Sequence, residues 1–155
     1  MTSIASITAQ EVELIGRFVE LLAQEQSALV QGKTDALSDL AAKKQPLVEQ
    51  LNAREYERRS ALGIDAEHKT REAMRDWLRT NPSEDIAANW DAILTLAKQA
   101  RQLHDQNASL VAMRLQQTTD ALAILNLNRP FAQHSLYGSD GQASTSSGSR
   151  LVDSA

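Results

Sequence analysis

The sequence predicts an all-α protein: an antiparallel, coiled-coil-like helical bundle with one very long C-terminal helix, a short additional helix and a disordered C-terminal tail. Apolar residues make up 42% of the 155 residues but aromatic residues only 4%, which favours packing of Leu, Ala and Val between helices over packing of sheets. Apolar residues recur at helical spacing along most of the chain. Residues 83–128 contain neither Gly nor Pro, so one helix of unusual length is expected there.

The first helix is predicted over residues 8–31. Its apolar residues alternate at spacings of three and four and form a broad buried stripe: Val12, Ile15, Val19, Leu22 and Leu29. Gly32 follows the helix at the position where glycine takes up the left-handed backbone conformation at low cost. The link to the next helix is so short that the two helices must be antiparallel.

The second helix is predicted to begin with Thr34 or Asp35 as its N-cap and to end at Gly63. Its buried side is expected to hold Leu37, Leu40, Ala41, Leu47, Val48 and Leu51. Pro46 interrupts the pattern, but the apolar period resumes in phase after it. A kink within one helix is therefore predicted, not a break between two.

A short third helix is predicted from a cap at Asp65 to about Arg79. Its apolar residues are Met74, Trp77 and Leu78. We interpret Trp77, together with Trp90 in the next helix, as an anchor of the core, because each lies at an apolar helical position. The sequence 81–83, Asn-Pro-Ser, then breaks the chain and gives the long helix a serine cap with acidic residues in its first turn.

The long helix, residues 83–128, carries its stripe at strict four-three alternation: Ile86, Trp90, Ile93, Ala97, Ala100, His104, Asn107, Val111, Arg114, Thr118, Ala121 and Leu125. Two readings of the polar members Asn107 and Arg114 stay open. Either they make polar contacts with neighbouring helices, or the distal half of the helix is less buried and available to a partner.

Regular structure is expected to end after Pro130, which divides the chain into a helical bundle domain, residues 1–130, and a flexible tail, residues 131–155.

The charge of the chain excludes several functions. A net charge of −4 gives no electrostatic reason to bind nucleic acid. The only basic concentration, Lys43 and Lys44 with the arginines of residues 54–59, is diluted by glutamates, and the run 54–59 is interpreted as a solvated face. The chain has no cysteine, no signal peptide at its start and no apolar run long enough to span a bilayer. A cytoplasmic protein is expected.

Catalysis and metal binding are not expected. The three histidines lie in different elements and lack the spacing of a bundle metal site. Asp65-x-x-His68 occurs once and is better explained as a helix cap, and His104 is expected to be hydrogen-bonded between helices. No glycine-rich loop precedes a Lys-Ser or Lys-Thr pair, so no phosphate-binding loop is present. The sequence therefore predicts neither an enzyme nor a cofactor.

Three stretches carry a family resemblance. They are residues 29–37 with 47–51, the pattern Leu103-x-x-x-Asn107-x-x-Leu110-Val111, and residues 136–142, which read Leu-Tyr-Gly-Ser-Asp-Gly-Gln. Together they resemble the FlgN family of flagellar export chaperones, whose tail signature is Tyr-Gly-x-x-Gly-Gln. The resemblance extends from the first helix to Gln142. The sequence departs from it at Ala108, where relatives often have Gly.

The resemblance implies a cytoplasmic chaperone of type III export. Such a chaperone binds the hook-associated proteins FlgK and FlgL, prevents their premature assembly and delivers them to the flagellar export gate. It also implies that residues 110–136 bind the client, through Leu110, Leu115, Leu122, Ile124, Leu125, Leu127, Phe131 and Leu136. Tyr137 and Gly138 would dock on the cytoplasmic domain of the export gate. Residues 86–110 would then act as scaffold.

An alternative function remains open from the sequence. The leucines of residues 110–127 exceed the number that one packing stripe needs. They could pack on the first two helices of the same chain, or pair two copies of it. The second case describes a self-associating structural adaptor that has no export client.

Overall fold

The computed structural model describes residues 2–65 and 69–127, and in these ranges it contains four helices and no strand. In chain order they are α1 (Ile4–Gln31), α2 (Asp35–Leu62), α3 (Thr70–Thr80) and α4 (Glu84–Leu127). The predicted all-α class, with a short third helix and a very long last one, is confirmed. The chain divides into two units, Met1–Met113 and Arg114–Ala155. The boundary predicted at residue 130 lies outside the described residues.

Helix α1 begins four residues before the predicted start. Ser3 is its N-cap, and the Ser3 hydroxyl accepts a hydrogen bond from the backbone N–H of Ser6 at 3.2 Å. Thr8 is instead fully buried inside the helix, where its hydroxyl donates to the carbonyl of Ile4 at 2.9 Å. The end is as predicted: Gly32 has φ 76° and caps the helix in the left-handed conformation.

Helix α2 runs without a break through Pro46 and ends at Gly63, which has φ 68°. Thr34 occupies the N-cap position, as predicted, but its backbone is helical and its side chain makes no capping hydrogen bond. The predicted buried side is too broad. Leu40 is buried, whereas Ala41 and Val48 are exposed, because α2 packs one narrow row of side chains against α1.

Helix α3 begins at Thr70, and Asp65 does not cap it. The guanidinium of Arg59 donates to the backbone carbonyl of Asp65 at 2.5 Å, which holds Asp65 in the link after α2. Met74 is fully buried, as predicted, but Trp77 is only half-buried. Trp77 therefore packs against the core cluster that contains Met74, at the margin of that cluster.

Helix α4 begins after Ser83, whose hydroxyl accepts a hydrogen bond from the N–H of Ile86 at 3.4 Å. Its first three turns bury Ile86, Trp90 and Ile93 in one cluster with Met74 of α3. The predicted stripe is wrong beyond this point. Among its later members only Asn107 is buried, while Ala97, His104 and Val111 are exposed, as are Thr118, Ala121 and Leu125.

Polar contacts between the helices establish their relative directions. Between α1 and α2, Glu25 pairs with Lys44 and Glu11 with Arg58, so these helices are antiparallel. Between α1 and α4, the hydrogen-bonded pairs are separated by 80 to 85 positions along the whole contact. A separation that varies by so few positions means that α1 and α4 are parallel. The end of α1 is consequently level with Val111 or Ala112 of α4.

Candidate functional site

Five predicted client-binding residues lie in the second unit, at the distal end of α4. They are exposed to between 54% and 84%: Leu115, Leu122, Ile124, Leu125 and Leu127. We call these five residues the distal apolar face. A water-exposed row of this kind is unusual for large aliphatic side chains and often marks an interaction surface.

The distal apolar face is not a single stripe. At about 100° of rotation per residue, Leu115, Leu122 and Leu125 lie on one side of the helix. Ile124 and Leu127 point to the other side. A single partner helix covers only one side of α4, so a partner that contacts all five residues must reach around it.

The polar side chains of this segment are largely occupied within the helix itself. The hydroxyls of Thr118 and Thr119 donate to the backbone carbonyls one turn earlier, at 3.0 and 2.9 Å. Gln116 donates to Asp120 at 2.8 Å. Residues 114–127 hold only two charged side chains, Arg114 and Asp120. The segment therefore offers a partner mainly apolar contacts.

The other predicted site residues have different positions. Leu110 belongs to the first unit and is half-buried. Phe131 and Leu136 of the predicted client surface, and Tyr137 and Gly138 of the predicted gate-docking motif, lie outside the described residues. Their roles stay predictions.

Asn107 is a buried polar residue in the first unit, with 3% of its surface exposed. Its amide Nδ2 donates to the carbonyl of Leu22 and to Oε1 of Glu25, both at 3.0 Å, and Glu25 also pairs with Lys44 of α2. Of the two readings of Asn107, polar contact with neighbouring helices is the one observed. The three side chains connect α1, α2 and α4.

A pocket of about 350 Å³ lies beside this polar cluster and is lined by Leu29, Leu37, His104 and Val111 among others. His104 is exposed and makes no hydrogen bond within the described residues, so its predicted interhelical hydrogen bond is wrong. The physical reason is its place on α4: the neighbouring Asn107 takes the contact with α1, and His104 stays at the rim.

A buried ion pair joins α1 and α2, and it was not expected from the sequence. Nε of Arg58 donates to Oε2 of Glu11 at 2.8 Å, and both side chains are no more than 5% exposed. The guanidinium also lies 4.8 Å from the centre of the Trp90 ring, close enough for a cation–π interaction. The interpretation of residues 54–59 as a solvated face is therefore wrong at Arg58.

The signal for this pair is present in the sequence. Glu11 lies four positions after Ile7 and three before Leu14, so it occupies an apolar position of α1. Arg58 lies seven positions after Leu51 in the same way. Burial raises the pKa of Glu11 above its ordinary value, and the hydrogen bond and positive charge of Arg58 oppose that rise only in part.

Two further properties bear on function. No helix in the described part of the chain is long and apolar enough to cross a membrane. Within the same residues no group of three or more acidic or histidine side chains is arranged to hold a metal ion.

Comparison with known proteins gives one consistent result. The sequence model of a family described as FlgN protein matches residues 1–145. Proteins of Salmonella typhimurium (strain LT2) and Salmonella typhi, both named Flagella synthesis protein FlgN, are each 26% identical to the chain over 148 residues. The match covers 94% of this chain and 94% of each relative. No solved structure matches the chain significantly.

Proposed function

Because the chain belongs to the FlgN family, a family of flagellar chaperones and not of enzymes, we propose that it is a cytoplasmic chaperone for the hook-associated proteins FlgK and FlgL. It binds the apolar terminal helices of these clients and prevents their premature assembly. It then delivers them to the flagellar export gate. The observation that carries this proposal is the exposure of the distal apolar face.

Burial of the distal apolar face supplies the affinity. Removing a large aliphatic side chain from water contributes about 1.5–3 kcal/mol when burial is complete. Five such side chains, each more than half exposed, provide enough free energy to offset the ordering of a client segment. A client's amphipathic helix that packs against an apolar helical face is an established mode of recognition.

The distribution of the five residues around α4 favours a client that contacts two sides of the helix. Leu115, Leu122 and Leu125 would receive one helix of the client, and Ile124 with Leu127 a second segment. Such an arrangement suits a client with paired terminal helices. It also suits a chaperone that keeps both of them from pairing elsewhere.

The tail has a separate role in this proposal. Tyr137 and Gly138 belong to the motif that resembles the family signature, and we assign them to docking on the cytoplasmic domain of the export gate. The client surface and the docking motif occupy different parts of the chain. A client-loaded chaperone can then engage the gate without releasing its client.

The client surface is tested by co-purification with the terminal helical segments of FlgK. We expect Leu115→Ser with Leu122→Ser to weaken binding by at least about tenfold, since two anchors of the same side are lost. Val30→Ser is the matched control, because Val30 is 65% exposed in the described structure and lies on α1. Unchanged binding by the double variant, or an equal loss in the control, would contradict the assignment of the client surface.

The docking motif is tested with Tyr137→Ala in two binding assays. We expect this variant to bind FlgK normally and to bind the purified cytoplasmic domain of the export gate more weakly. The opposite pattern, lost client binding with normal gate binding, would show that the two roles are assigned to the wrong segments.

A second candidate function is self-association through α4 with no export client. The seven-residue spacing of Leu115 and Leu122, both exposed, is the spacing at which coiled coils pair. Analytical ultracentrifugation separates the two functions. A tight homodimer that the Leu115→Ser and Leu122→Ser variant dissociates would favour the adaptor, whereas a monomer that binds FlgK supports the chaperone.

A further inference from the structure

A groove of about 830 Å³ lies between α3 and α4, within the first unit. Four cationic side chains line it, Arg71 and Arg75 from α3 and Lys98 and Arg101 from α4, against a single carboxylate, that of Asp91. We call it the basic groove. It is a concentrated positive surface on a chain whose net charge is −4.

The four cations of the basic groove make no ion pair and no side-chain hydrogen bond with any residue that the structure describes. Six other cations of the described ranges do have acidic partners: Arg17, Lys44, Arg54, Arg58, Arg59 and Arg79. Within the described residues, an external anion could therefore bind the cations of the groove without displacing an ion-pair partner. Assembling four of them without partners raises the positive potential inside the groove.

The two walls repeat one pattern of side chains. On α3, Arg71 and Arg75 are followed by the apolar Leu78 at helical spacing, and on α4 the apolar Leu94 is followed by Lys98 and Arg101 at the same spacing. Each wall thus combines a leucine with two cations spread over about two turns, roughly 10 Å. This pattern complements a helix that has an apolar stripe flanked by carboxylates.

The aromatic side chain of the basic groove argues against nucleic acid as its ligand. Binding of single-stranded nucleic acid relies on exposed aromatic rings on which bases stack. Trp90 is only 7% exposed, and the guanidinium of Arg58 lies over its ring. The groove therefore offers cations and aliphatic contacts but no stacking platform.

We propose that the basic groove is a docking site for an acidic amphipathic helix of a protein partner. This inference does not depend on the proposed client surface, because the groove lies in the first unit and shares no residue with the distal apolar face. Docking there gives the protein a second, electrostatically steered contact, which strengthens at low salt.

The test uses the full-length chain and a fluorescent peptide of about 18 residues, five helical turns, with a leucine stripe flanked by glutamates. The same peptide with lysines for glutamates and a single-stranded oligonucleotide are the comparison ligands. We expect only the acidic peptide to bind, with affinity that falls as salt rises. Amide chemical shifts should change in residues 71–78 and 90–101 of the unmodified protein.

Charge reversal provides the decisive comparison. Arg75→Glu with Lys98→Glu should weaken binding of the acidic peptide by about tenfold, because two attractions become repulsions. Lys33→Glu with Lys43→Glu makes the same change of net charge at exposed positions outside the groove and should leave the affinity nearly unchanged. Circular dichroism verifies that both variants are folded.

Three binding results would overturn the proposal. They are the absence of acidic-peptide binding, equal weakening in the two charge-reversal variants, and tighter binding of the oligonucleotide or the basic peptide. Chemical-shift changes confined to residues outside the basic groove would overturn it as well, since they would place the peptide elsewhere.

Discussion

The ion pair between Glu11 and Arg58 can be dissected with three variants: Glu11→Leu, Arg58→Met and the two together. Each single substitution leaves one buried charge without its partner, whereas the double variant replaces the pair by apolar side chains. Breaking a buried pair from one side costs far more than removing it whole. The three variants should therefore differ sharply in stability.

The two single variants differ because only one of the stranded groups can lose its charge. In Glu11→Leu the guanidinium of Arg58, 5% exposed, stays protonated, and the free energy of unfolding should fall by about 3–5 kcal/mol. In Arg58→Met the carboxyl of Glu11 can take up a proton. Protonating a carboxyl with the ordinary pKa of 4.5 costs about 3.4 kcal/mol at pH 7. The stranded charge of Glu11 can therefore lower the free energy of unfolding by no more than this amount. Losing the cation–π contact with Trp90 adds about 1 kcal/mol to the loss of stability in Arg58→Met.

The sign of the pH dependence follows from the raised pKa of Glu11. A carboxyl whose pKa is higher in the folded state adds stability below its unfolded pKa, and that contribution is lost as the pH rises through the folded pKa. Removing Arg58 raises the pKa of Glu11 further. The loss of stability caused by Arg58→Met should accordingly shrink as the pH falls from 7 to 5, by no more than about 2.7 kcal/mol. The double variant has no carboxyl at position 11 and provides the baseline.

Urea denaturation at pH 5, 6 and 7 measures these differences. We expect the free energy of unfolding of the double variant to lie within about 1 kcal/mol of that of the natural sequence. Its loss of stability should therefore be much smaller than the sum of the two single losses. If the loss in the free energy of unfolding caused by Arg58→Met did not change with pH, the reasoning about Glu11 would be refuted. Additive losses in the double variant would show that the two side chains do not act as a pair.

Three further predictions concern other parts of the chain. Asn107→Ala should lower the free energy of unfolding in urea by about 2 kcal/mol, since two buried hydrogen bonds are lost, whereas Ser109→Ala on the exposed side should change it little. Amide hydrogen exchange in residues 114–127 should be much faster than in the core turns of α4, because an exposed helix of this length is only marginally stable in water; equal protection would contradict the exposure observed there. Gly16→Ala should raise the melting temperature, since an added Cβ meets nothing within 4 Å and the helix interior favours Ala by about 1 kcal/mol. Gly63→Ala should lower it, because φ is +68°, and a rise there would refute the backbone argument.

Local signals explain which helix boundaries the sequence could predict. Gly32 and Gly63 end their helices because each adopts the left-handed backbone conformation, and Ser83 caps the start of α4 with its hydroxyl. Each of these effects depends only on residues that are close in the sequence. Asp65 offers an equally good capping side chain. It does not cap α3, which begins at Thr70, and its carbonyl instead accepts a hydrogen bond from Arg59, a contact that no local pattern reveals.

Burial along α4 was harder to predict, because periodicity carries no information about the length of the neighbours. Helices α1 and α2 have 28 residues each and α4 has 44. Periodicity can therefore continue along α4 whether or not a neighbouring helix covers it. The basic groove was missed for a related reason: Arg75 and Lys98 are far apart in sequence and meet only through the turn between α3 and α4.

The amide of Asn107 fixes the axial register of α4 on α1. A slide of one helical turn would carry Nδ2 about 5.4 Å along the axis, away from the carbonyl of Leu22 and from Glu25, and would strand a buried amide among apolar side chains. The contact between Asn89 and Thr8 near the other end of α1 imposes the same restriction. The part of α4 within the first unit is thus locked against translation, and any response to a bound partner must take the form of bending, fraying or rotation of side chains.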